Sequence, residues 1–168
     1  MKKNRQLAQD ELLNLLKTLV ETPGPSGSES TIRATVLANI KDFADEIQTD
    51  ALGNLIARKG TRKEGGKRAM VSAHMDEIGL MITHVDDNGF ARFLPIGGIN
   101  ALTCLGGRVL FMNGTRGVIG VERLEGTNIP TLDKLFIDTG ATSREDSKVG
   151  VGDVCGFERP FLDLGQRL

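Results

Sequence analysis

The sequence predicts an α/β protein whose amino-terminal part, built of helices and strands, gives way to a small closed β-barrel. Three observations carry that reading. Apolar residues recur at helical three- and four-residue steps as far as Phe43, and a continuous apolar run, Ala69-Met70-Val71-Ser72-Ala73, has the texture of a strand covered on both faces. After Glu77 the helical spacing disappears, and short β-like runs alternate with glycine-bearing turns.

The elements follow in order. Between Leu7 and Glu21, the residues Leu12, Leu15, Leu16, Leu19 and Val20 form the stripe of an amphipathic helix, which Thr22-Pro23-Gly24-Pro25-Ser26-Gly27 then stops. Ser26 and Glu29 have the spacing of a capping box. Behind it Ile32, Val36, Ile40 and Phe43 mark the inner face of a second helix ending near Ala44. The glycines here are no phosphate loop, which needs a strand before it and a Gly-Lys-Ser/Thr ending. Ile47, Thr49 and Ala51 alternate, Leu52-Gly53-Asn54 turns, and Leu55-Ile56-Ala57 reads as the second strand of a hairpin-like pair. Lys59 to Lys67 is a polar surface turn.

In the second part, Leu80-Met81-Ile82-Thr83 meets Phe90-Ala91-Arg92-Phe93 across Asp86-Asp87-Asn88-Gly89, where Asn-Gly is a strong hairpin signal. Further strands are expected at Arg108 to Met112, Gly117 to Val121, Lys134 to Ile137 and Val154 to Phe157, a spacing that suits a small barrel. A short helix is expected from Ser143 to Lys148, capped by Thr142 or Ser143. Asn113-Gly114-Thr115 is read as a turn, and His84, in an alternating strand, as structural.

Composition excludes several classes of partner. Lys plus Arg number 21 and Asp plus Glu 22 among 168 residues, so no strong field draws the chain to nucleic acid or an anionic membrane, and without Trp or Tyr it lacks the usual base-stacking platforms. The apolar runs are far shorter than the roughly 20 residues of a spanning helix. Met1-Lys2-Lys3-Asn4-Arg5 leads into a charged amphipathic segment rather than a signal-peptide core, so a cytoplasmic protein is expected. Cys104 and Cys155 lie far apart with no Cys-x-x-Cys spacing, and both are expected to be small buried residues.

Chemistry concentrates in Ala73-His74-Met75-Asp76-Glu77-Ile78-Gly79, at the carboxyl end of the expected buried strand, where open α/β sheets place their ligands. On an extended chain residues i and i+2 face the same way. His74 and Asp76 then project together, so the carboxylate can accept a hydrogen bond from one ring nitrogen while the other coordinates a metal. Glu77 points to the opposite side. His-x-Asp by itself is equally the pattern of a surface histidine beside a surface aspartate.

The segment His74-Met75-Asp76-Glu77-Ile78-Gly79-Leu80-Met81 resembles the first metal-ligand motif of the M42 family of dinuclear metallo-aminopeptidases, the glutamyl and deblocking aminopeptidase group, some of whose relatives are labelled endoglucanases. The resemblance continues in order through Pro23-Gly24-Pro25-Ser26-Gly27, Leu52-Gly53-Asn54, Pro95-Ile96-Gly97-Gly98, Leu135-Phe136-Ile137-Asp138 and Gly152-Asp153. It implies the amino-terminal part of an α/β peptidase domain over residues 1–77, an inserted β-barrel dimerisation domain over 78–161, and the start of a return to the peptidase domain over 162–168. It also implies peptide substrates, a homo-oligomer formed through the inserted domain, and two divalent ions, zinc or cobalt, that activate a water. His74 would be the terminal ligand of one ion and Asp76 the supporting carboxylate of the catalytic site. In the family pattern the bridging aspartate, the general base and the other ligands come after the position of Leu168. The resemblance therefore implies an incomplete chain, inactive alone. Between Gly120 and Thr131 the chain is also shorter than the family pattern.

Three other readings compete. Asp138-Thr139-Gly140 matches the aspartic-protease signature, but a single copy would work only in a homodimer, and the strand-plus-glycine element that should follow it instead precedes it at Gly106-Gly107-Arg108-Val109. A glycoside hydrolase needs two carboxyls flanking the bond, and adjacent Asp76 and Glu77 face opposite ways. In the third reading the β-barrel alone matters, as a non-catalytic interaction module.

Overall fold

The computed structural model describes residues 2–61, 64–123 and 129–165. Helix α1 (Lys2–Glu21) starts earlier than its apolar stripe, because lysine, glutamine and arginine are good helix formers. Thr22 closes it, its hydroxyl donating to the Thr18 carbonyl at 2.6 Å. Helix α2 (Ser30–Ile40) ends in a single 3₁₀ turn, Lys41–Phe43. Ile32 is buried as the periodicity requires, but Phe43, expected on the inner face, is 71% exposed, because the tightened turn carries it off the helical stripe.

The expected capping box does not form. Glu29 occupies the position before the helix, and its carboxylate turns back to accept from the Gly27 N–H. The Ser26 hydroxyl is committed elsewhere, to Asp76. Strands β1 (Glu46–Thr49) and β2 (Leu55–Arg58) pair antiparallel with Ile47 opposite Ala57, as their alternation predicts. Their turn is organised by Asp50, which accepts from the backbone of Leu52 and Asn54 and from the Asn54 side chain.

Six strands close the barrel: β3 (Gly79–Val85), β4 (Ala91–Ile96), β5 (Arg108–Phe111), β6 (Arg116–Val121), β7 (Leu135–Asp138) and β8 (Val154–Phe157), in the order β3-β4-β7-β6-β5-β8. Every pairing is antiparallel. Along β3, Leu80 and Ile82 point inward; a bulge between Ile82 and His84 then resets the parity, so Val85 returns to the core while Thr83 and His84 face out. The Asn-Gly turn forms as expected. Gly89 adopts φ +86°, and a Cβ there would lie 2.7 Å from the Ala141 carbonyl oxygen. Closure leaves no unpaired edge, and the interior is filled by Leu80, Ile82, Phe111, Ile119, Leu135 and Ile137, each at most 1% exposed.

Two helical expectations change. Ser143–Lys148 is not a helix but a turn gathered by Asp146, whose carboxylate accepts from the Thr142 and Ser143 backbones and from the Thr142 hydroxyl. The chain then dives to bury Val149, which a continuing helix would not allow. The one-turn helix α3 (Ala101–Cys104), capped by Asn100 through the Leu102 N–H at 2.9 Å, has too few residues to show a period.

The largest correction concerns Ala69-Met70-Val71-Ser72-Ala73. No strand forms there, and Met70 and Val71 are 91% and 97% exposed. A strand exists by pairing, and residues 69–76 make no backbone–backbone hydrogen bond among the described residues. The stretch between Gly120 and Thr131, expected to be shorter than the family pattern, falls partly on residues 124–128, and the expected return to the peptidase domain partly on 166–168; both stretches lie outside the described residues.

Candidate functional site

The segment carrying His74 gains its anchor from the proline-glycine loop between α1 and α2. Pro25 and Glu77 form a parallel bridge. The Glu77 N–H donates to the Gly24 carbonyl at 2.9 Å, and the Ser26 N–H donates to the Glu77 carbonyl at 3.1 Å. A third bond runs from the Gly24 N–H to Glu77 Oε1 at 3.0 Å. Glycine is required where these pieces meet. A Cβ on Gly79 would lie 2.6 Å from the Cys155 carbonyl oxygen and 2.9 Å from Pro25 Cβ.

The two carboxylates part to opposite sides, as the period of an extended chain demands. Glu77 turns toward Pro23 and Gly156 at the barrel; burial pushes its carboxyl above the ordinary value, opposed by the Gly24 N–H and by Arg159. Asp76 turns the other way. Its Oδ2 accepts from the Ser26 hydroxyl at 2.5 Å and its Oδ1 lies 3.1 Å from His74 Nδ1. The Ser26 hydroxyl above all, with His74 contributing less, holds the Asp76 carboxyl below its usual value against the opposing cost of burial.

His74 Nδ1 also lies 3.0 Å from the Asp76 carbonyl oxygen. Two acceptors at one ring nitrogen assign the proton to Nδ1, which leaves the Nε2 lone pair outward on a side chain that is 86% exposed. This is the arrangement of a histidine ready to act as a ligand, with its carboxylate fixing the tautomer. An ion site needs at least three such ligands in most cases. Among the described residues no group of three or more His, Cys, Asp or Glu is placed to hold an ion. The pair therefore suits one ligand and its support, and does not by itself make a metal centre.

The remaining candidates lie apart from this pair. His84 is exposed on the outer face of β3. Asp138 is spent on its own turn, accepting from the Gly140 N–H at 2.8 Å. Cys104 and Cys155 are free and buried, and burial pushes the Cys155 thiol up to about 12. A cleft of about 330 Å³ between the start of α2 and the barrel, lined by Glu29, Arg33, Phe111, Asn113 and Asp153, includes neither His74 nor Asp76. Ser26 is the site residue that sequence reasoning assigned to another task. Its capping-box spacing was a real signal, overridden by a partner 50 residues away. No described helix is long and apolar enough to cross a membrane.

Comparison with known proteins shows the family. The profile of the M42 glutamyl aminopeptidase family matches residues 53–168. A putative aminopeptidase of Acetivibrio thermocellus is 45% identical over 154 residues, covering 90% of this chain and 46% of its own length. A lysyl aminopeptidase of Pyrococcus furiosus is 40% identical over 167 residues, covering 90% and 47%. Among solved structures, the TET1 peptidase of Pyrococcus horikoshii, described as assembling into a tetrahedron or a large octahedral shell, superposes with a TM-score of 0.80 at 38% identity over 90% of this chain and 48% of that one. The chain thus spans about half the length of the relatives it matches. With the family profile covering most of the chain and the barrel fold shared with its solved relatives, this chain belongs to the M42 glutamyl aminopeptidase family.

Proposed function

We propose that this chain is the amino-terminal portion of a metal-dependent aminopeptidase that removes amino-terminal residues from peptides, with His74 a terminal ligand of one of two divalent ions, zinc or cobalt. The observation that carries the reading is the His74–Asp76 pair: Nδ1 held at 3.1 Å by a carboxylate oxygen, Nε2 turned outward. When bound, such ions supply Lewis acidity at neutral pH. Asp76 orients the ring, and the loop from Pro23 to Ser26 holds Asp76 in place. The reading divides the chain into peptidase residues 1–77, an inserted barrel over 78–161 that serves homo-oligomer formation, and a return segment over 162–168. The shells formed by the TET1 peptidase support the oligomer. A cytoplasmic location accords with an unremarkable charge balance.

Residues 1–168 are inactive alone in this reading, because the described residues gather one imidazole and its carboxylate, with no bridging carboxylate beside them. The test is an aminopeptidase assay with chromogenic amino-acid amides and added zinc or cobalt. The chain alone is expected to give no turnover, and chelator-sensitive turnover would contradict the reading. Joined to the carboxyl-terminal half of a family relative, it is expected to gain activity. In that enzyme His74→Ala should remove nearly all turnover and Asp76→Asn about 10- to 100-fold. Undiminished activity in the His74 variant sinks the ligand assignment.

One observation favours a second reading, a non-catalytic interaction module: nearly all buried apolar side chains lie in the barrel. A sizing column run on residues 78–161 separates the two, since a stable complex with a protein other than its own copies is required only by the second.

A further inference from the structure

The geometry points to Ser26 as a positioning residue for the His74 ligand, acting through Asp76. The inference rests on the reading of His74 as a metal ligand and extends it to a residue in a different segment of the chain.

The need for such a residue follows from the backbone. Residues 69–76 form no backbone–backbone hydrogen bond among those described, so no sheet holds His74 in place. A side chain on an unpaired segment samples many orientations, and its carboxylate partner, two residues away on the same segment, would move with it. What fixes the pair must come from elsewhere in the chain. The loop before α2 provides it. Its backbone is fixed against Glu77 by two bonds, at 2.9 and 3.1 Å, and by the Gly24 N–H to Oε1 bond at 3.0 Å. From that fixed frame the Ser26 hydroxyl reaches Asp76 Oδ2 at 2.5 Å.

The hydroxyl has one proton, and the geometry decides where it goes. The alternative acceptor, the Glu77 carbonyl oxygen, lies 3.5 Å away, too far for a good O–H···O bond, so the proton is given to Asp76. Two oxygens then do two different jobs. Oδ2 is tied to Ser26, and Oδ1 is left to accept from His74 Nδ1 at 3.1 Å. Held at one oxygen, the carboxylate cannot rotate freely about its terminal torsion, which is otherwise broad. The order of control runs from the loop to Ser26, to Asp76, to the tautomer of His74. Glu29, which the capping-box spacing would pair with Ser26, instead accepts from the Gly27 N–H.

The test reads the tautomer directly. Residues 1–168 labelled with ¹⁵N are studied by NMR at about pH 8.5, well above the ordinary imidazole range. In the native chain the Nδ1–H form of His74 is expected to predominate. Ser26→Ala should lower the ratio of Nδ1–H to Nε2–H forms by about 3- to 10-fold, the net size of one ordinary hydrogen bond. Ser26→Cys, close in size but a weak donor, should behave like alanine, and Ser26→Thr, which keeps the hydroxyl, should restore the native ratio. Amide signals of Leu80 and Ile137 in the barrel report whether each variant is folded. An unchanged ratio in folded Ser26→Ala and Ser26→Cys overturns the proposal, as does failure of threonine to restore it. Zinc added to the chain joined to the carboxyl-terminal half of a family relative tests the underlying reading separately. There, a His74 ring that ignores zinc while its tautomer still follows Ser26 removes the ligand assignment and leaves the relay standing.

Discussion

The barrel and the segment that precedes it were built under different rules. From Gly79 to Phe157 every strand finds partners within the same stretch of chain, the ring closes, and its interior cluster gathers Leu80, Ile82, Phe111, Ile119, Leu135 and Ile137. Before Gly79 the buried apolar side chains among the described residues are Pro25 and Ile32, and Leu12, Val20, Met70 and Val71 lie open to solvent. Both regions carry apolar patterns of similar strength, so hydrophobicity alone does not decide which becomes a core. Pairing does. A run of apolar residues becomes a strand when another backbone lies beside it, and β3 has β4 and β8 whereas Ala69–Ala73 has none among the described residues. The chemistry sits at the seam, where one loop grips the open segment just before it enters the ring.

The widest contrast should come from matched truncations. Ile137→Ala, inside the ring, is expected to lower stability by about 2–5 kcal/mol, whereas Val71→Ala should stay within about 0.5 kcal/mol. Urea unfolding measures both, and comparable losses would erase the distinction between the regions. The seam comes next. Gly79→Ala places a methyl group against the Cys155 carbonyl oxygen and Pro25, with no flexible side-chain end to yield, and is expected to cost about 1–3 kcal/mol.

The smallest effect concerns Glu77. Its folded-state carboxyl titrates above the ordinary value of 4.5, so between the two values the native state holds more protons than the unfolded one. Stability from this group is therefore fully present below the unfolded value and is lost as pH rises through the folded one. Glu77→Gln keeps an acceptor for the Gly24 N–H and removes the titration. Melting temperatures at about pH 4 and about pH 7 should show the variant gaining on the native chain at the higher pH, and parallel profiles would remove burial as the cause.

The same contrast explains what could be read in the sequence. The barrel strands, the Asn-Gly hairpin and both buried cysteines were legible because their signals are local, alternation and turn residues that do not depend on how far off the partner lies. The pairing of His74 with Asp76 was legible too, since it depends only on the two-residue period of an extended chain. Ser26 was misread as a helix cap because spacing within a few residues cannot reveal a carboxylate 50 positions away. The strand expected at Ala69–Ala73 failed for the converse reason, as its texture is that of a covered strand while its cover is not among the described residues. Asp146 shows a third kind of failure. An acidic residue within a helical-looking run gathered the amides that a helix would have used otherwise.

Hydrogen exchange on residues 1–168, read amide by amide, tests the difference between the two regions most directly. The amides of Ile82, Phe111 and Ile119, each hydrogen-bonded inside or at the rim of the ring, are expected to exchange only through global unfolding, with protection equal to the total stability. Those of Met70 to Asp76 should exchange near the unprotected rate, rising to measurable protection at Glu77, where the Gly24 carbonyl accepts. Strong protection across Met70 to Asp76 at the level of the barrel would contradict the account, since it would mean that this segment has strand partners where we find none among the described residues.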